Sequence, residues 1–294
     1  MNINHMKAFI EVAKSGGFQL AADRLHITQS TVSARIKVLE TQLGRQLFVR
    51  KREGCELTVA GRHFHRFAYT AVRAWEQARQ EVALPEELNA VVTLGVQMNH
   101  WERIAPAWVD TMQLRAPDVG TRVVADYSEN LLTDLSDGLI DLAITYIPRQ
   151  QAGLACELLM EDQLVLASTA PRKVTKHWQQ DYVFVDWGAE FRAAHSLAYP
   201  ETRAPRLSVG MSMIGLDYIL KYGGAGYFSA RTIEPLLKTG QLHLIEKAPT
   251  FQRPVYLLHP LVAIDAELLE VAKKGLKDVV TDKVNQSSGS DDDI

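Results

Sequence analysis

Residues 18–43 read FQLAADRLHITQSTVSARIKVLETQL, the pattern of two short helices around a tight turn. In the second helix Val32, Ile36, Leu39 and Leu43 recur at steps of four, three and four. This apolar stripe at helical period predicts a face turned to a core. Thr28 stands where an N-cap belongs, because its hydroxyl can accept from a free backbone N–H at the helix start. Opposite the stripe fall Ser30, Ala34, Lys37 and Thr41, with Ser33 and Arg35 on its flanks. The first helix repeats the logic with Phe18, Ala21, Ala22 and Leu25, two of them alanines that let another helix approach closely, and residues 25–28 make the turn.

Spacing alone suits any amphipathic helix pair in a core. The outer face separates the readings, because it lacks the usual solvating mixture of glutamates and lysines and presents hydroxyl, amide and methyl groups followed by a cation. Such short polar groups fit base edges near the start of a helix, and cations fit phosphates. The expected base readers are Gln29, Ser30, Ser33 and Ala34, the last against a thymine methyl, with Arg35 and Lys37 on phosphates. Past Leu43, residues 47–57 (LFVRKREGCEL) read as strand, turn, strand. A solvated hairpin would explain three consecutive cations; directly after a helix-turn-helix, Arg50, Lys51 and Arg52 are read as a wing meeting phosphates or the minor groove.

The run TQSTVSARIKVLETQLGRQLF at 28–48, followed by an arginine and by LTVAG at 57–61, resembles the N-terminal domain of LysR-type transcriptional regulators from about Asn4 to about Val82. Ser33-Ala34-Arg35, EVA at 81–83 and DWG at 186–188 look closer to the branch of the H-NS-dependent flagellar regulator. The resemblance implies promoter DNA as a partner, together with a second copy of the chain, a pairing of dimers into a tetramer, a small-molecule effector and RNA polymerase. The expected fold class is α+β multidomain: an N-terminal winged helix-turn-helix (1–58), a linker and dimerisation helix (59–89), and a two-lobed α/β effector domain like a type II periplasmic binding protein (90–281). A disordered tail is expected at 282–294.

Charge distribution agrees with a nucleic-acid-binding end. The whole chain has a net charge of −3, yet residues 1–66 hold 11 Lys and Arg against 5 Asp and Glu, and the remainder holds 21 against 30. No apolar run is long enough for a membrane span, and MNINHMK lacks the apolar region of a signal peptide, so a cytoplasmic protein with no membrane partner is expected. Cys55 and Cys156 are too few and too separated for a disulfide framework or a metal motif. His63 and His65 sit two apart on a helix and point to different sides. Neither metal nor cofactor is expected.

Ile3 to Lys14 carries Met6, Phe9, Ile10 and Ala13 at helical spacing and stops at Ser15-Gly16-Gly17. Thr58 is expected to cap a long helix ending before Pro85, in which Phe64, Phe67, Ala71, Ala74, Ala78 and Val82 form nearly a heptad seam. Packing within its own domain would use the same residues. Pairing with a second copy is preferred, because a winged helix-turn-helix usually reads a near-palindromic site.

From Ala90 the pattern alternates short apolar strands with amphipathic helices, βαβα order that predicts a mainly parallel sheet. Strands are expected at 91–96, 121–126, 141–146, 163–167, 182–186, 207–211, 226–229 and 255–259, and helices at 102–114, 130–138, 214–221, 232–239 and 266–280. The chain is expected to cross to a second lobe near Glu161 and return near Pro254, giving lobe I (90–160 and 255–281) and lobe II (161–254). GLIDLAI at 138–144 and YGGAGYF at 222–228 carry the resemblance to the effector domain of the same family.

Ligands of open α/β sheets collect at the carboxyl ends of strands, against the N-termini of following helices. That rule selects Met98, Asn99, His100 and Trp101; Ser128, Glu129 and Asn130; and Tyr146 from lobe I. Asp186, Trp187, Phe191, Met211 and Ser212 would close from lobe II. The family often carries serine or threonine where this chain has Asn99. An enzymatic C-terminal domain is the alternative, but the chain has no GxSxG, HExxH, P-loop or GxGxxG. A pure solute-binding module would not explain the basic head. The leading expectation is a sequence-specific transcriptional regulator whose promoter binding responds to a small molecule.

Overall fold

The structure is a computed structural model that describes residues 2–51, 54–174, 179–200 and 204–288, without the side chains of 50, 101–103 and 282–288. Arg52, residues 289–294 and the side chains of Arg50 and Trp101 therefore lie outside the described residues. The chain divides after Glu86 into two compact units.

In the first unit, α1 (Ile3–Ser15), α2 (Phe18–Leu25) and α3 (Gln29–Leu43) precede the hairpin β1 (Phe48–Lys51) and β2 (Gly54–Leu57), and α4 (Val59–Val82) follows. Asn2 caps α1 through its side chain, and Gly16 ends it in the left-handed region at φ +72°. Phe9 is the hub of the core, its ring 5.2 Å from Phe48 and 5.1 Å from Phe64. Ala21 and Ala22 are fully buried against it, as their small side chains permit. Val32, Ile36 and Leu39 are buried as their period requires, but Leu43 is 41% exposed. Gly44, at φ +63°, turns the chain away there, and Leu47 fills the core in place of Leu43.

The α4 seam divides. Of its six residues, Phe64 and Ala71 pack into the unit's own core, beside buried Ala68, whereas Phe67, Ala74, Ala78 and Val82 are exposed.

The second unit runs β3 (Ala90–Gln97), α5 (Trp101–Arg115), β4 (Val119–Asp126), α6 (Ser128–Ser136), β5 (Leu142–Thr145), β6 (Leu154–Ser168), β7 (Tyr182–Val185), α7 (Ala189–Ala198), β8 (Leu207–Val209), α8 (Ser212–Tyr222), β9 (Ala225–Ser229), α9 (Ala230–Lys238), β10 (His243–Leu244), β11 (Phe251–Pro260) and α10 (Ala266–Ser288). The strands form one sheet in the order β4-β3-β5-β11-β6-β9-β7-β8, with β10 beside β6. The trios β4-β3-β5 and β9-β7-β8 are parallel. Between them β6 and β11 run antiparallel to each other and to their outer neighbours β9 and β5, so the sheet is mixed where a mainly parallel one was expected. The reason is that both connections between the trios are themselves strands. Glu161 and Pro254 are directly opposite each other in that pair.

Two elements, α7 and β10, have no counterpart in the sequence reading. The last helix also continues past residue 280 to Ser288, so 282–288 is helical and not part of a disordered tail. Between Gly275 and Gly289 the sequence contains neither proline nor glycine to stop it. Its anchoring is specific: the indole Nε1 of fully buried Trp108 donates to the Ala272 carbonyl at 3.0 Å, and Arg115 pairs with Asp278 at 2.6 Å. No described helix is long and apolar enough to cross a membrane.

Candidate nucleic-acid interface and effector cleft

The helix pair is fixed by its caps. Thr28 Oγ1 accepts from the Thr31 amide at 3.2 Å and lies 2.9 Å from the Ser30 hydroxyl, which places Ser30 at the opening of α3. His26, at φ +53°, supplies the left-handed turn between the helices. With Val32, Ile36 and Leu39 inward, Gln29, Ser30, Ala34 and Lys37 are exposed, and Ser33 and Arg35 are half-buried on the flanks. The described face is thus the one whose composition suits base edges and phosphates.

The wing is held to this helix by Glu40, whose Oε1 accepts from the Leu47 amide at 2.7 Å and the Phe48 amide at 3.4 Å. On its other side the Cys55 amide donates to the Gly16 carbonyl at 2.8 Å. Gly54, at φ +138°, has no room for a Cβ, which would lie 2.3 Å from the Gly16 oxygen. Lys51 is exposed at the wing and 3.5 Å from Glu56, so part of its charge is met within the hairpin. Arg45, which the sequence reading did not single out, is also exposed beside α3. It shares with Lys37 the rim of a shallow, open hollow of about 260 Å³, together with Glu40, Thr41, Gly44 and Gln46. Its only sequence signal is its place two residues past the helix end, directly after Gly44.

In the second unit, several expected residues meet across the sheet's two halves. Asn99 Oδ1, beyond the end of β3, accepts from the Ser212 amide at the start of α8, 2.8 Å away. The buried His100 ring lies 4.9 Å from that of Tyr146, and Tyr146 lies 6.2 Å edge-on from Trp187. Ser128 is buried, and its Oγ accepts from the Tyr146 amide at 3.2 Å. Met98 and Met211 are half-buried beside these contacts. Other residues point elsewhere. Asn130 donates to Asp126 and Glu129 is exposed. Phe191 is directed into the aromatic core of Tyr227, His195 and Phe251. Asp186 is held by the Gly188 amide and by Arg192, and the Trp187 indole donates to the Tyr227 carbonyl.

Arg253, on β11, was not anticipated. Its guanidinium lies 4.2 Å over the Tyr146 ring, and its Nη1 donates to Glu190 at 2.8 Å. The arginine side chain is only 7% exposed, whereas Glu190 is 72% exposed. Burial pulls the guanidinium below its ordinary pKa, against the opposing influence of Tyr146, Glu190 and Asp186. An arginine directly before the apolar run Pro254 to Leu258 is the signal the sequence offers; nothing in the spacing connects it to Tyr146.

Residues 3–62 match the model of the bacterial regulatory helix-turn-helix protein, lysR family, and residues 85–263 match the LysR substrate binding domain. The HTH-type transcriptional regulator HdfR of Salmonella schwarzengrund is 28% identical over 261 residues, 88% of this chain and 92% of that protein; HdfR of Salmonella typhimurium gives the same figures. Among solved structures, CbnR, a LysR family transcriptional regulator, superposes with a TM-score of 0.68 at 16% identity, covering 95% of this chain and 99% of that one. Full-length LysG from Corynebacterium glutamicum with bound effector Arg gives 0.54 at 18% identity, covering 96% and 99%.

Proposed function

The chain belongs to the LysR family of bacterial transcriptional regulators, and from that premise we propose that Gln29, Ser30, Ser33 and Ala34 read bases while Arg35, Lys37 and the wing cations hold phosphates. It is a regulator and not an enzyme. The observation that supports the reading is the exposed, short-chain polar face of α3, whose opposite side is locked into the core by Val32, Ile36 and Leu39. Domains are assigned as 1–58 for the head, 59–89 for the linker and 90–281 for the effector domain. The exposed half of the α4 seam, Phe67, Ala74, Ala78 and Val82, would pair with a second copy, and dimers would pair into tetramers on DNA in the cytoplasm. An effector in the cleft around Asn99, His100, Ser128, Tyr146 and Trp187 would alter promoter binding and the contact with RNA polymerase.

Selection of sites by the full-length protein from a random duplex library tests the base readers. Ser33→Ala should change the preference at one base position, and an unchanged sequence profile removes Ser33 from the reading set. Lys37→Ala should weaken all duplexes about equally and flatten the salt dependence by about one unit of slope. Full retained affinity for non-specific DNA would disprove its phosphate role.

A further inference from the structure

In the sheet of the second unit, β4 and β8 lie at opposite ends of the strand order, yet the residues that leave them meet. Tyr127, directly after β4, carries its hydroxyl to the backbone of Gly210, directly after β8, where a Cβ would lie only 3.0 Å from it. One strand further in, Asn99, just past β3, accepts from the Ser212 amide at 2.8 Å. Behind both, Tyr146 after β5 meets Trp187 after β7, ring to ring at 6.2 Å. The strand ends of one parallel trio thus touch those of the other at three depths. Tyr127 is 49% exposed, which puts its contact at the rim.

Each rim contact is built from both sides. A helix start leaves its first amides without an intrahelical acceptor, and α8 opens at Met211, whose side chain makes no capping bond. The Asn99 carboxamide, from the opposite trio, supplies the cap that α8 lacks. Its placement is fixed in turn, because its own amide donates to Oε1 of buried Gln97 at 2.8 Å. Tyr127 is held likewise: its amide donates to Asp126 Oδ1 at 2.7 Å, and the same oxygen accepts from Asn130. Gly210 leaves the phenol room, since a side chain there would stand against the hydroxyl.

The backbone between the trios is narrow. Among the described strands, only β6 and β11 join them, and the pairing of these two slips between Val255 and Tyr256, beside the point where Glu161 faces Pro254. A bulge bends and twists the ladder locally, and the proline beside it brings no N–H to that ladder. Two strands with such a break can absorb a rotation of one trio against the other. We propose that Asn99 and Tyr127 form a latch that holds the two trios closed on each other without a ligand, with β6 and β11 near Val255 as the hinge. The inference goes beyond the effector-cleft reading, because the resting closed state is made by the chain's own groups, and a molecule entering the cleft has to part them.

The test uses the full-length protein with Cys55→Ser and Cys156→Ser, and nitroxide labels on Thr133→Cys in α6 and Asp217→Cys in α8, both exposed positions. Labelled chains are diluted in unlabelled ones, and the distance between the labels is measured by pulsed electron spin resonance without ligand or DNA. The parent should give mainly one short distance. Asn99→Ala should raise the share of a second, longer distance about fivefold, the effect of losing a helix cap. Tyr127→Ala, a truncation at a half-exposed site, should raise it as well, and the double variant should exceed either. Amide exchange at Ser212, followed on the same variants, separates a latch from a local cap: faster exchange in Asn99→Ala with an unchanged distance would overturn the proposal. A parent found mostly at the long distance, or a double variant with the parent's distribution, would overturn it too. If Asn99→Ala does not fold, Tyr127→Ala decides alone. No ligand enters the assay, so a failed latch leaves the effector-cleft reading standing.

Discussion

Replacing Glu40 by alanine should loosen the joint between α3, the wing and α4 without touching the proposed DNA-reading face. Glu40 Oε1 accepts from the Leu47 amide at 2.7 Å, and its bond to Phe48 at 3.4 Å adds little. Leu47 is 1% exposed, so its amide has no route to water once the carboxylate is gone. The same residue's carbonyl accepts from the Thr58 amide at 2.9 Å, which ties the α4 cap to this point. A hydrogen bond to a charged group contributes about 1.5–3 kcal/mol, and orphaning a buried donor costs about 1–3 kcal/mol. These describe one loss from two sides, so Glu40→Ala should destabilise the joint by about 2–3 kcal/mol. At about 1.4 kcal/mol per tenfold, amide hydrogen exchange of Leu47 and Phe48 should accelerate about 30- to 140-fold. Glu40→Gln keeps a neutral acceptor and should cost about 1 kcal/mol, or roughly fivefold. Exchange in Glu40→Ala as slow as in the parent, or equal acceleration in both variants, would refute the assignment of a charge-assisted bond.

The remaining predictions concern packing and pH. Gly61→Ala should destabilise the N-terminal unit by at least about 2 kcal/mol, because the new Cβ would stand 2.2 Å from the Leu47 carbonyl oxygen and 3.0 Å from Leu57 Cδ2; a melting temperature equal to the parent's would show that the backbone yields. His195, buried with its Nε2 3.0 Å from the Tyr182 hydroxyl, has its pKa lowered by burial from 6.5 to about 4. The unfolded chain then binds the extra proton between those values. The neutral imidazole's contribution is therefore present above pH 6.5 and lost as pH falls to about 4, by at most about 3 kcal/mol. Urea unfolding of the parent and His195→Phe across that window should give a stability difference that changes with pH, and a constant difference would rule out His195 as the titrating group.

How much could be read in the sequence followed from where the information resides. The recognition helix is legible because its evidence is local: the cap at Thr28, the period of Val32, Ile36 and Leu39, and the composition of the opposite face lie within one short run. Leu43 misled for the same reason. Period alone extends the stripe, while the turn at Gly44 gives its place in the core to Leu47. In the second unit, the parallel trios are legible from βαβ order, but the antiparallel pair β6 and β11 joins segments far apart in the chain, and no local pattern says that both connections are strands. The cleft is harder still. The strand-end rule selects Asn99, His100, Ser128 and Tyr146 as candidates because each lies at an element's end, and it cannot select Arg253, which sits inside β11. What makes Arg253 informative is a contrast between its own burial and the exposure of Glu190, two properties created only when β11 and α7 meet. Sequence therefore identifies the exposed face of α3 that is proposed to meet DNA, whereas the burial of Arg253 emerges only from tertiary packing.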